Sequence, residues 1–315
     1  MTVVTLTFYL NIPLAHTLYY AYLPAMKKVD KLYLGAHMSI AGGVYNAFKQ
    51  GEKAGCDTIQ IFVKSSNQWA ARPFTIMELE KYHEEQKRTG IEPVIAHASY
   101  LINLGSSDSA LLQKSREAFL VEMDRCEKLD IPYLVVHPGS PKDLGEEFGI
   151  KTIAESIDWL CERTVDHRVK ITLENTAGQG SSLGHTFEQI AGMIDSVKYP
   201  DRVMVCFDTC HAYVAGYDIA TRKGYEQTWA LFERIIGIEK LAVIHLNDAK
   251  KELGSKIDRH EHIGKGTLGS RAFGYIMTDK RFKRVPKILE TPKGDDGRMD
   301  DINLGLLRKL ATKKK

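Results

Sequence analysis

The segment VMVCFDTCH, Val203–His211, joins a short apolar run to the polar residues that directly follow it. Val203–Phe207 shows no alternation of polar and apolar residues, so we expect a β-strand that is buried on both faces. Asp208 follows this strand, and His211 comes three residues later. Strands buried on both faces are typical of a parallel sheet that is covered by helices.

Seven further runs have the same character and alternate along the chain with longer amphipathic segments. Eight parallel strands that alternate with eight helices over about 280 residues are the pattern of a (β/α)8 barrel. The sequence therefore predicts an α/β fold, a single TIM barrel whose active site lies at the C-terminal rim of the strands. The eight predicted strands are Leu32–Ala36, Thr58–Val63, Pro93–Ala96, Tyr133–Val136, Val169–Leu173, Val203–Phe207, Leu241–Ile244 and Lys287–Leu289.

The segments between the strands carry helix signals. Thr75 and Glu78 have the spacing of a capping box, which marks the start of a helix. Phe119, Met123 and Cys126 recur on one face of another predicted helix, as in an amphipathic helix.

The overall composition is that of an ordinary globular chain. The 315 residues are 43% hydrophobic and 26% charged, which excludes a disordered, collagen-like or coiled-coil protein. A net charge of +3 means that any polyanion has to be met by a local patch and not by the whole surface. The five cysteines include no Cys-x-x-Cys pair, so neither a disulfide framework nor a thiolate zinc site is predicted. Cys206 and Cys210 are interpreted as packing residues.

The first 26 residues contain no charged side chain, yet four threonines and two prolines interrupt their apolar character. A secretory signal would also have positive charge before the apolar stretch and not after it. We therefore expect residues 1–30 to be an N-terminal leader outside the fold, residues 31–312 to form the catalytic barrel, and residues 313–315 to be a basic tail. No membrane partner is expected.

Histidines and acidic residues follow seven of the eight predicted strands. Because the C-terminal ends of barrel strands converge on one rim, these side chains would surround a single pocket. A lone histidine beside a strand is more often a packed rim residue than a ligand, but so many buried ionisable groups require compensating cations. The seven residues are His37, His97, His137, Glu174, Asp208, His245 and Glu290.

Three more candidate ligands lie close to these positions. His211 ends the sequence Asp-Thr-Cys-His, and Asp258 and His260 lie in a loop after the seventh strand. Imidazole and carboxylate donors without thiolate suit Zn²⁺ or Mn²⁺. With His37 left as a neighbour on the rim, nine candidate ligands exceed the need of one tetrahedral ion, so the sequence predicts two or three ions that share carboxylates. Clustered divalent ions are typical of phosphoester hydrolysis.

Loops on the same rim carry residues suited to a nucleic acid. Asn67 and Gln68 follow the second strand, and Tyr100 follows the third. Amide and aromatic side chains on such loops can stack on bases or fill the gap left by a missing base. Lys250 and Arg259 are cations suited to phosphates. Simple capping of the barrel top is an equally good interpretation of the aromatic residues.

Taken jointly and in this order, eight motifs resemble the signatures of the endonuclease IV family of apurinic/apyrimidinic endonucleases. A divalent-metal sugar isomerase or epimerase barrel could share a few of these motifs and is the alternative interpretation. The motifs are Gly35-Ala-His-Met-Ser39 with Gly42-Gly43, His97-Ala-Ser-Tyr-Leu-Ile-Asn-Leu104, His137-Pro-Gly-Ser140, Glu174-Asn-Thr-Ala-Gly-Gln-Gly180, Asp208-Thr-Cys-His211, His245-Leu-Asn-Asp-Ala-Lys250, Asp258-Arg-His260 and Ile288-Leu-Glu-Thr291.

The resemblance implies a DNA repair enzyme that hydrolyses the phosphodiester bond 5′ to an abasic site in duplex DNA. It would leave a 3′-hydroxyl and a 5′-deoxyribose phosphate, and it would remove blocked 3′ ends as a 3′-phosphodiesterase and 3′-phosphatase. Three zinc ions would act, with a water shared between two of them as the nucleophile, and Glu174 and Glu290 are the residues implied to be catalytic. The implied ligands are His97, His137 and Glu174 for the first ion, Glu174, Asp208, His245 and Glu290 for the second, and His211, Asp258 and His260 for the third.

The resemblance also implies how the DNA would be bound. Members of the family bend the duplex and flip the abasic nucleotide, and Tyr100 and Gln68 match positions used for this. Asn67 stands where a relative has Arg, so Arg72 or Lys64 would have to supply that cation. We expect a monomer, located in the cytoplasm with the nucleoid in a bacterium or in the nucleus in a eukaryote.

Overall fold

The computed structural model of the protein describes residues 31–294 and 297–312. From Leu32 onward the chain forms one compact unit. The predicted leader at 1–30 and the predicted tail at 313–315 lie outside the described residues, so both stay predictions. None of the described helices is long and apolar enough to cross a membrane.

Eight parallel strands close into a barrel with helices around it, which confirms the predicted fold class. The barrel strands are β1 Leu34–His37, β2 Thr58–Phe62, β3 Val94–His97, β4 Tyr133–Val136, β5 Lys170–Glu174, β6 Val203–Asp208, β7 Leu241–His245 and β10 Lys287–Leu289. The barrel closes where β1 pairs with β10, with Leu34 opposite Lys287. The other two strands, β8 Asp248–Ala249 and β9 His260–Glu261, form a separate antiparallel pair that the sequence analysis assigned to a loop.

Several strands extend one residue further than the apolar pattern predicts. In β1, β3, β5, β6 and β7, the polar residue expected just after the strand is its last residue. The sheet pairing continues through these positions, since Phe62 pairs with His97 and Asp208 pairs with His245. Their backbones are therefore held by the barrel itself, which makes them firm supports for a site.

Nine α-helices occur in the described residues, where the sequence predicts eight. The additional one is the short helix that begins directly after β6, because the Asp208 carboxylate accepts a hydrogen bond from the His211 backbone N–H at 2.8 Å and caps it. The helices are α1 Asn46–Lys53, α2 Ile76–Thr89, α3 Ser109–Lys128, α4 Gly145–Arg163, α5 Phe187–Asp195, α6 Thr209–Ala215, α7 Arg222–Ile235, α8 Gly269–Thr278 and α9 Met299–Thr312.

The predicted helix signals are confirmed. Thr75 caps α2, with reciprocal bonds between the Thr75 hydroxyl and the Glu78 N–H and between the Glu78 carboxylate and the Thr75 N–H. Phe119, Met123 and Cys126 are fully buried on α3 within the core. A second, smaller apolar cluster consists of strand residues, among them Ile95, Val135, Cys206, Val243 and Ile288.

Candidate metal centre

The alternation of side chains along the strands explains how the polar residues come together inside the barrel. Residues two positions apart on a strand point to the same face. Ile95 and Ile288 belong to the smaller apolar cluster, and His97 and Glu290 come two residues after them. The same step of two leads from other members of this cluster to His137, Asp208 and His245. The cluster therefore forms an apolar floor beneath a ring of ionisable groups.

Glu174, at the end of β5, is fully buried and lies at the centre of the ring. Its Oε2 atom lies 3.2 Å from His97 Nε2 and 3.4 Å from His137 Nε2. Its Oε1 atom lies 3.0 Å from His245 Nδ1 and 3.3 Å from His211 Nδ1. One carboxylate thus faces histidines from four different parts of the chain, as a bridging ligand would.

A second group shares Glu174 and adds Asp208, His245 and Glu290, and its donor atoms lie within 4.8 Å of one another. His245 Nδ1 lies 3.2 Å from Glu290 Oε2 and 3.9 Å from Asp208 Oδ2. Three carboxylates around one imidazole nitrogen repel one another unless a cation or proton lies between them. This group is therefore suited to a cation.

The orientation of His245 follows from Gln60, a buried residue in the middle of β2. The Gln60 amide nitrogen donates to Glu290 Oε1 at 2.6 Å, because an ionised carboxylate only accepts hydrogen bonds. The Gln60 oxygen consequently faces His245 Nε2, at 2.8 Å, so this nitrogen carries the hydrogen. In the neutral imidazole of His245 the lone pair therefore lies on Nδ1, the nitrogen that faces the carboxylates. Sequence reasoning missed Gln60, although it is a polar residue within the apolar run TIQIF.

A third group consists of His211, Asp258 and His260. The two oxygens of Asp258 lie 3.2 Å from His211 Nε2 and 3.4 Å from His260 Nε2. His211 Nδ1 donates to the Asn175 carbonyl at 2.9 Å, so Nε2 carries the lone pair whenever the imidazole is neutral. His260 Nε2 is buried and has no hydrogen-bond partner among the described residues. This is expected of a nitrogen whose lone pair is available to a cation.

The donors in these groups fit a tetrahedral divalent ion. Two atoms bound about 2.1 Å from one such ion lie roughly 3.4 Å apart. The nitrogen-to-oxygen distances in the first and third groups run from 3.2 to 3.4 Å. The structure therefore brings all nine predicted side chains into three groups, with the membership that the family resemblance implies. Their role as ligands stays a proposal.

The electrostatics of the site also favour cations. Burial raises the pKa of the Glu174 carboxyl, but the charges of His245 and His137 outweigh burial and hold it well below its usual value. Burial lowers the pKa of the His211 imidazole, but Asp208 and Asp258 outweigh burial and raise it well above its usual value. These carboxylates favour positive charge on the neighbouring imidazoles, and a divalent cation would supply that charge in place of the protons.

The two cysteines near the ring are fully buried. Cys206 groups with Glu174 and His245, and Cys210 groups with Asp208 and His260. Burial raises the pKa of the Cys206 thiol to about 12, which disfavours the thiolate that binds metal. We therefore keep the interpretation of both as packing residues.

Two asparagines that sequence reasoning missed fix the carboxylates. Asn175 accepts the Asp208 backbone N–H at 2.7 Å. Asn247 donates to Asp208 Oδ2 at 2.6 Å and accepts the Glu290 backbone N–H at 2.8 Å. The signal for both was their position next to predicted ligands, one residue after Glu174 and two residues after His245.

The predicted DNA contacts of the second and third loops lie on the surface. Tyr100 is 63% exposed, and its ring centre lies 5.5 Å from that of His97 and 6.5 Å from that of His137. Asn67 and Gln68 are also exposed. Tyr100 therefore borders the metal centre directly, and the amide side chains are free to meet a ligand from the solvent side.

Lys250 and Arg259 are exposed at the β8–β9 pair, where the Lys250 N–H donates to the Arg259 carbonyl. Arg259 also lines a cavity of about 360 Å³, together with residues of the metal centre such as His137, His211 and Asp258. An exposed cation that lines this cavity is suited to a phosphate group.

The two alternative cations for the loop of Asn67 differ in exposure, and Lys64 is too buried to contact DNA in this structure. Lys64 is only 4% exposed, and its ammonium lies 3.0 Å from Glu122 Oε1. Arg72 is exposed, but its guanidinium donates to both oxygens of Glu78 at 2.6 and 2.7 Å. Arg72 would therefore meet DNA with a guanidinium whose charge is already paired with Glu78.

Comparison with known proteins bears on the fold and the family of the chain. Residues 48–310 match the family model described as xylose isomerase-like TIM barrel. The probable endonuclease 4 of Geotalea daltonii is 49% identical over 280 residues, which cover 89% of this chain and 98% of that protein. This chain belongs to the endonuclease IV family. The probable endonuclease 4 of Chloroflexus aggregans is 48% identical over 276 residues, which cover 88% of this chain and 96% of that protein.

Solved structures separate the endonuclease IV family from its fold relatives. Endonuclease IV of Thermus thermophilus has a TM-score of 0.78 at 33% identity, over 88% of this chain and 98% of that one. A D-psicose 3-epimerase has a TM-score of 0.65 at 15% identity, over 89% of this chain and 99% of that one. The epimerase likeness shows the fold alone, whereas the resemblance to the endonuclease IV family is confirmed.

Proposed function

We propose that this chain hydrolyses the phosphodiester bond 5′ to abasic sites in duplex DNA and leaves a 3′-hydroxyl and a 5′-deoxyribose phosphate. We extend the proposal to the removal of blocked 3′ ends, as a 3′-phosphodiesterase and 3′-phosphatase. The observation that carries it is the set of three adjacent donor groups on one rim of the barrel, two of which share Glu174. The relatives named endonuclease 4 support DNA as the substrate. A monomer suffices, because a single chain supplies every donor.

Three zinc ions are the proposed cofactors, since the donors are imidazoles and carboxylates at tetrahedral spacing. When bound, divalent ions of this kind neutralise phosphate charge and activate water for attack on phosphorus. The proposed ligands are His97, His137 and Glu174 in the first site, Glu174, Asp208, His245 and Glu290 in the second, and His211, Asp258 and His260 in the third.

The remaining residues of the centre orient these ligands and the DNA. Asn247 joins Asp208 to the Glu290 backbone, so two strands present their carboxylates in one arrangement before substrate arrives. Arg259, at the cavity beside Asp258, would attract the phosphate, and Lys250 would meet the backbone nearby.

The exposed side chains of the two loops meet the lesion. Tyr100, beside the His97 ring, would stack in the gap left by the missing base. Asn67 and Gln68 would contact the neighbouring nucleotides through their amides. These contacts distinguish an abasic duplex from an undamaged one, because only the former leaves a gap to fill.

The decisive test is incision of a duplex oligonucleotide that carries one abasic site. We expect metal-replete protein to cut 5′ to the lesion, and chelator-stripped protein to be inactive until zinc is restored. Glu174→Gln should lower the incision rate by about a hundredfold or more, because it disturbs two donor groups at once. The position of the cut is read on a denaturing gel against size markers.

Glu226→Gln, an exposed glutamate on α7 paired with Arg222, is the matched control and should incise like the wild type. Absence of product from the metal-replete wild type would overturn the proposal, as would full activity of Glu174→Gln. Interconversion of a free sugar without incision would instead support the isomerase alternative.

A further inference from the structure

A buried ion pair joins the two loops that carry Tyr100 and Gln68. Lys64 lies two residues after β2, and its ammonium is 3.0 Å from Glu122 Oε1 on α3. Lys64 is 4% exposed and Glu122 is 1% exposed. The pair lies outside the metal centre, and none of the roles above requires it.

Each member of the pair also binds the backbone of one loop. The Lys64 ammonium donates to the Gln68 carbonyl at 2.5 Å, which ties the pair to the loop at 64–72. The Glu122 oxygens accept the Ser99 N–H at 3.2 and 3.3 Å, which ties the pair to the loop that contains Tyr100. The Ser99 hydroxyl completes the connection by donating to the Ser66 carbonyl at 2.5 Å.

The same face of α3 fastens the ends of these loops. Arg125, one turn after Glu122, donates to the Val63 carbonyl at 2.6 Å and to the Arg72 carbonyl at 2.8 Å. The loop at 64–72 is thus held at both ends by Arg125 and in the middle through Lys64. Helix α3 serves as a rigid support for the two loops that face the DNA.

Stability alone does not account for such a pair. Removing two charges from water is costly, and replacing a buried ion pair by apolar residues of similar size is often neutral or stabilising. What apolar residues cannot replace is the pair of directed bonds to Gln68 and Ser99. The pair therefore determines loop geometry more than it determines folding energy.

We propose that Lys64 and Glu122 are positioning residues that hold the Gln68 loop and the Tyr100 loop in one arrangement, so that both contact the abasic duplex together. This inference rests on the proposed function, because it assigns the loops to DNA. Neither residue reaches the metal centre in the structure. Their loss weakens DNA binding and leaves the chemical step intact.

Two variants separate positioning from simple packing. Glu122→Gln keeps an acceptor for the Ser99 N–H but leaves Lys64 without a charged partner. The double variant Lys64→Met/Glu122→Leu restores an apolar interior but removes both directed bonds. If the pair only fills space, the double variant recovers wild-type behaviour. If the pair positions the loops, the double variant folds and still binds DNA weakly.

Single-turnover incision of a duplex with one tetrahydrofuran residue gives the half-saturating protein concentration and the maximal rate. We expect both variants to raise the half-saturating concentration about ten- to a hundredfold, with unchanged maximal rate and zinc content. Asp158→Asn is the matched control, since Asp158 is a buried carboxylate on α4 that accepts the Lys198 N–H before β6, at the opposite end of the barrel. It should change neither parameter.

Hydrogen exchange of the amides at 64–72 and 99–104 supplies a readout without DNA. We expect faster exchange of both loops in both variants, and no change there in Asp158→Asn. A double variant with wild-type half-saturation, or Glu122→Gln with unchanged exchange in the loop at 64–72, would overturn the inference. If the wild type fails to incise, the proposed function is wrong. The exchange measurement would still test whether Lys64 and Glu122 couple the two loops.

Discussion

Gln60 shows how an uncharged side chain can decide which histidine nitrogen faces a metal site. Its amide lies between Glu290 and His245. The amide nitrogen donates to Glu290, so the amide oxygen faces His245 Nε2. The lone pair of His245 is thereby directed toward Glu174. The candidate ligands of the second donor group thus depend on a residue that is not itself a candidate ligand.

We expect Gln60→Leu to weaken zinc retention by the second donor group about tenfold to a hundredfold, because His245 and Glu290 lose their common partner. The measurement is zinc transfer to a chromophoric chelator, followed together with total zinc content. Gln113→Leu, at an exposed position on α3, is the control and should retain zinc like the wild type. Equal retention by Gln60→Leu would show that packing alone orients His245.

At the scale of the element, helix α2 illustrates a cap that depends on charge. Glu78 accepts hydrogen bonds from Arg72 and from the Thr75 N–H, and these bonds lower the pKa of its carboxyl from 4.5 to about 2. Because the folded-state pKa lies below the usual value, the ionised carboxylate contributes stability above pH 4.5. This contribution is lost as the pH falls toward 2.

We therefore expect Glu78→Gln to be less stable than the wild type at neutral pH, and the difference to shrink between pH 4.5 and about 2. The measurement is the free energy of unfolding from denaturant titrations at a series of pH values. Glu84→Gln, at an exposed position on the same helix, should show a smaller difference throughout. A gap between wild type and Glu78→Gln that stays constant with pH would contradict the role of the ionised carboxylate.

Some features of the strands and helices cannot be predicted from local sequence patterns. The apolar runs predict the barrel strands to within one or two residues, but they do not predict that a strand ends on its polar residue, since sheet pairing decides this. Helix α6 depends on the Asp208 cap, and the β8–β9 pair is only two residues long on each side. Neither is long enough to produce a periodic signal.

At the scale of the whole molecule, the donor groups tie together strands that are distant in sequence. Ligand candidates come from the ends of β3 to β7 and β10, from α6, and from β9 and the loop before it, so bound cations would cross-link most of the barrel rim. Ligands that bind only the folded state stabilise it, by about 2.7 kcal/mol at a free concentration of a hundred times Kd.

We accordingly expect chelation to lower the thermal midpoint of unfolding, and added zinc to restore it in a concentration-dependent manner. The measurement is calorimetry of stripped and reloaded protein. Glu174→Gln should show a much smaller difference between the two states, because its donor groups are disrupted. Equal midpoints for stripped and reloaded wild type would contradict this prediction, because they would mean that zinc does not stabilise the folded state.

The barrel, its rim and the nine candidate ligands could be predicted from the sequence alone, because strands buried on both faces require continuous apolar runs, and a polar residue that ends such a run is conspicuous. The tertiary structure decided how these residues group, which nitrogen of His245 and His211 is available, and that Lys64 is paired with Glu122 instead of facing DNA. These facts depend on contacts between residues up to 230 positions apart, as between Gln60 and Glu290. Such contacts leave no periodic trace in the chain, since they arise only when closure of the barrel brings the strand ends to one rim.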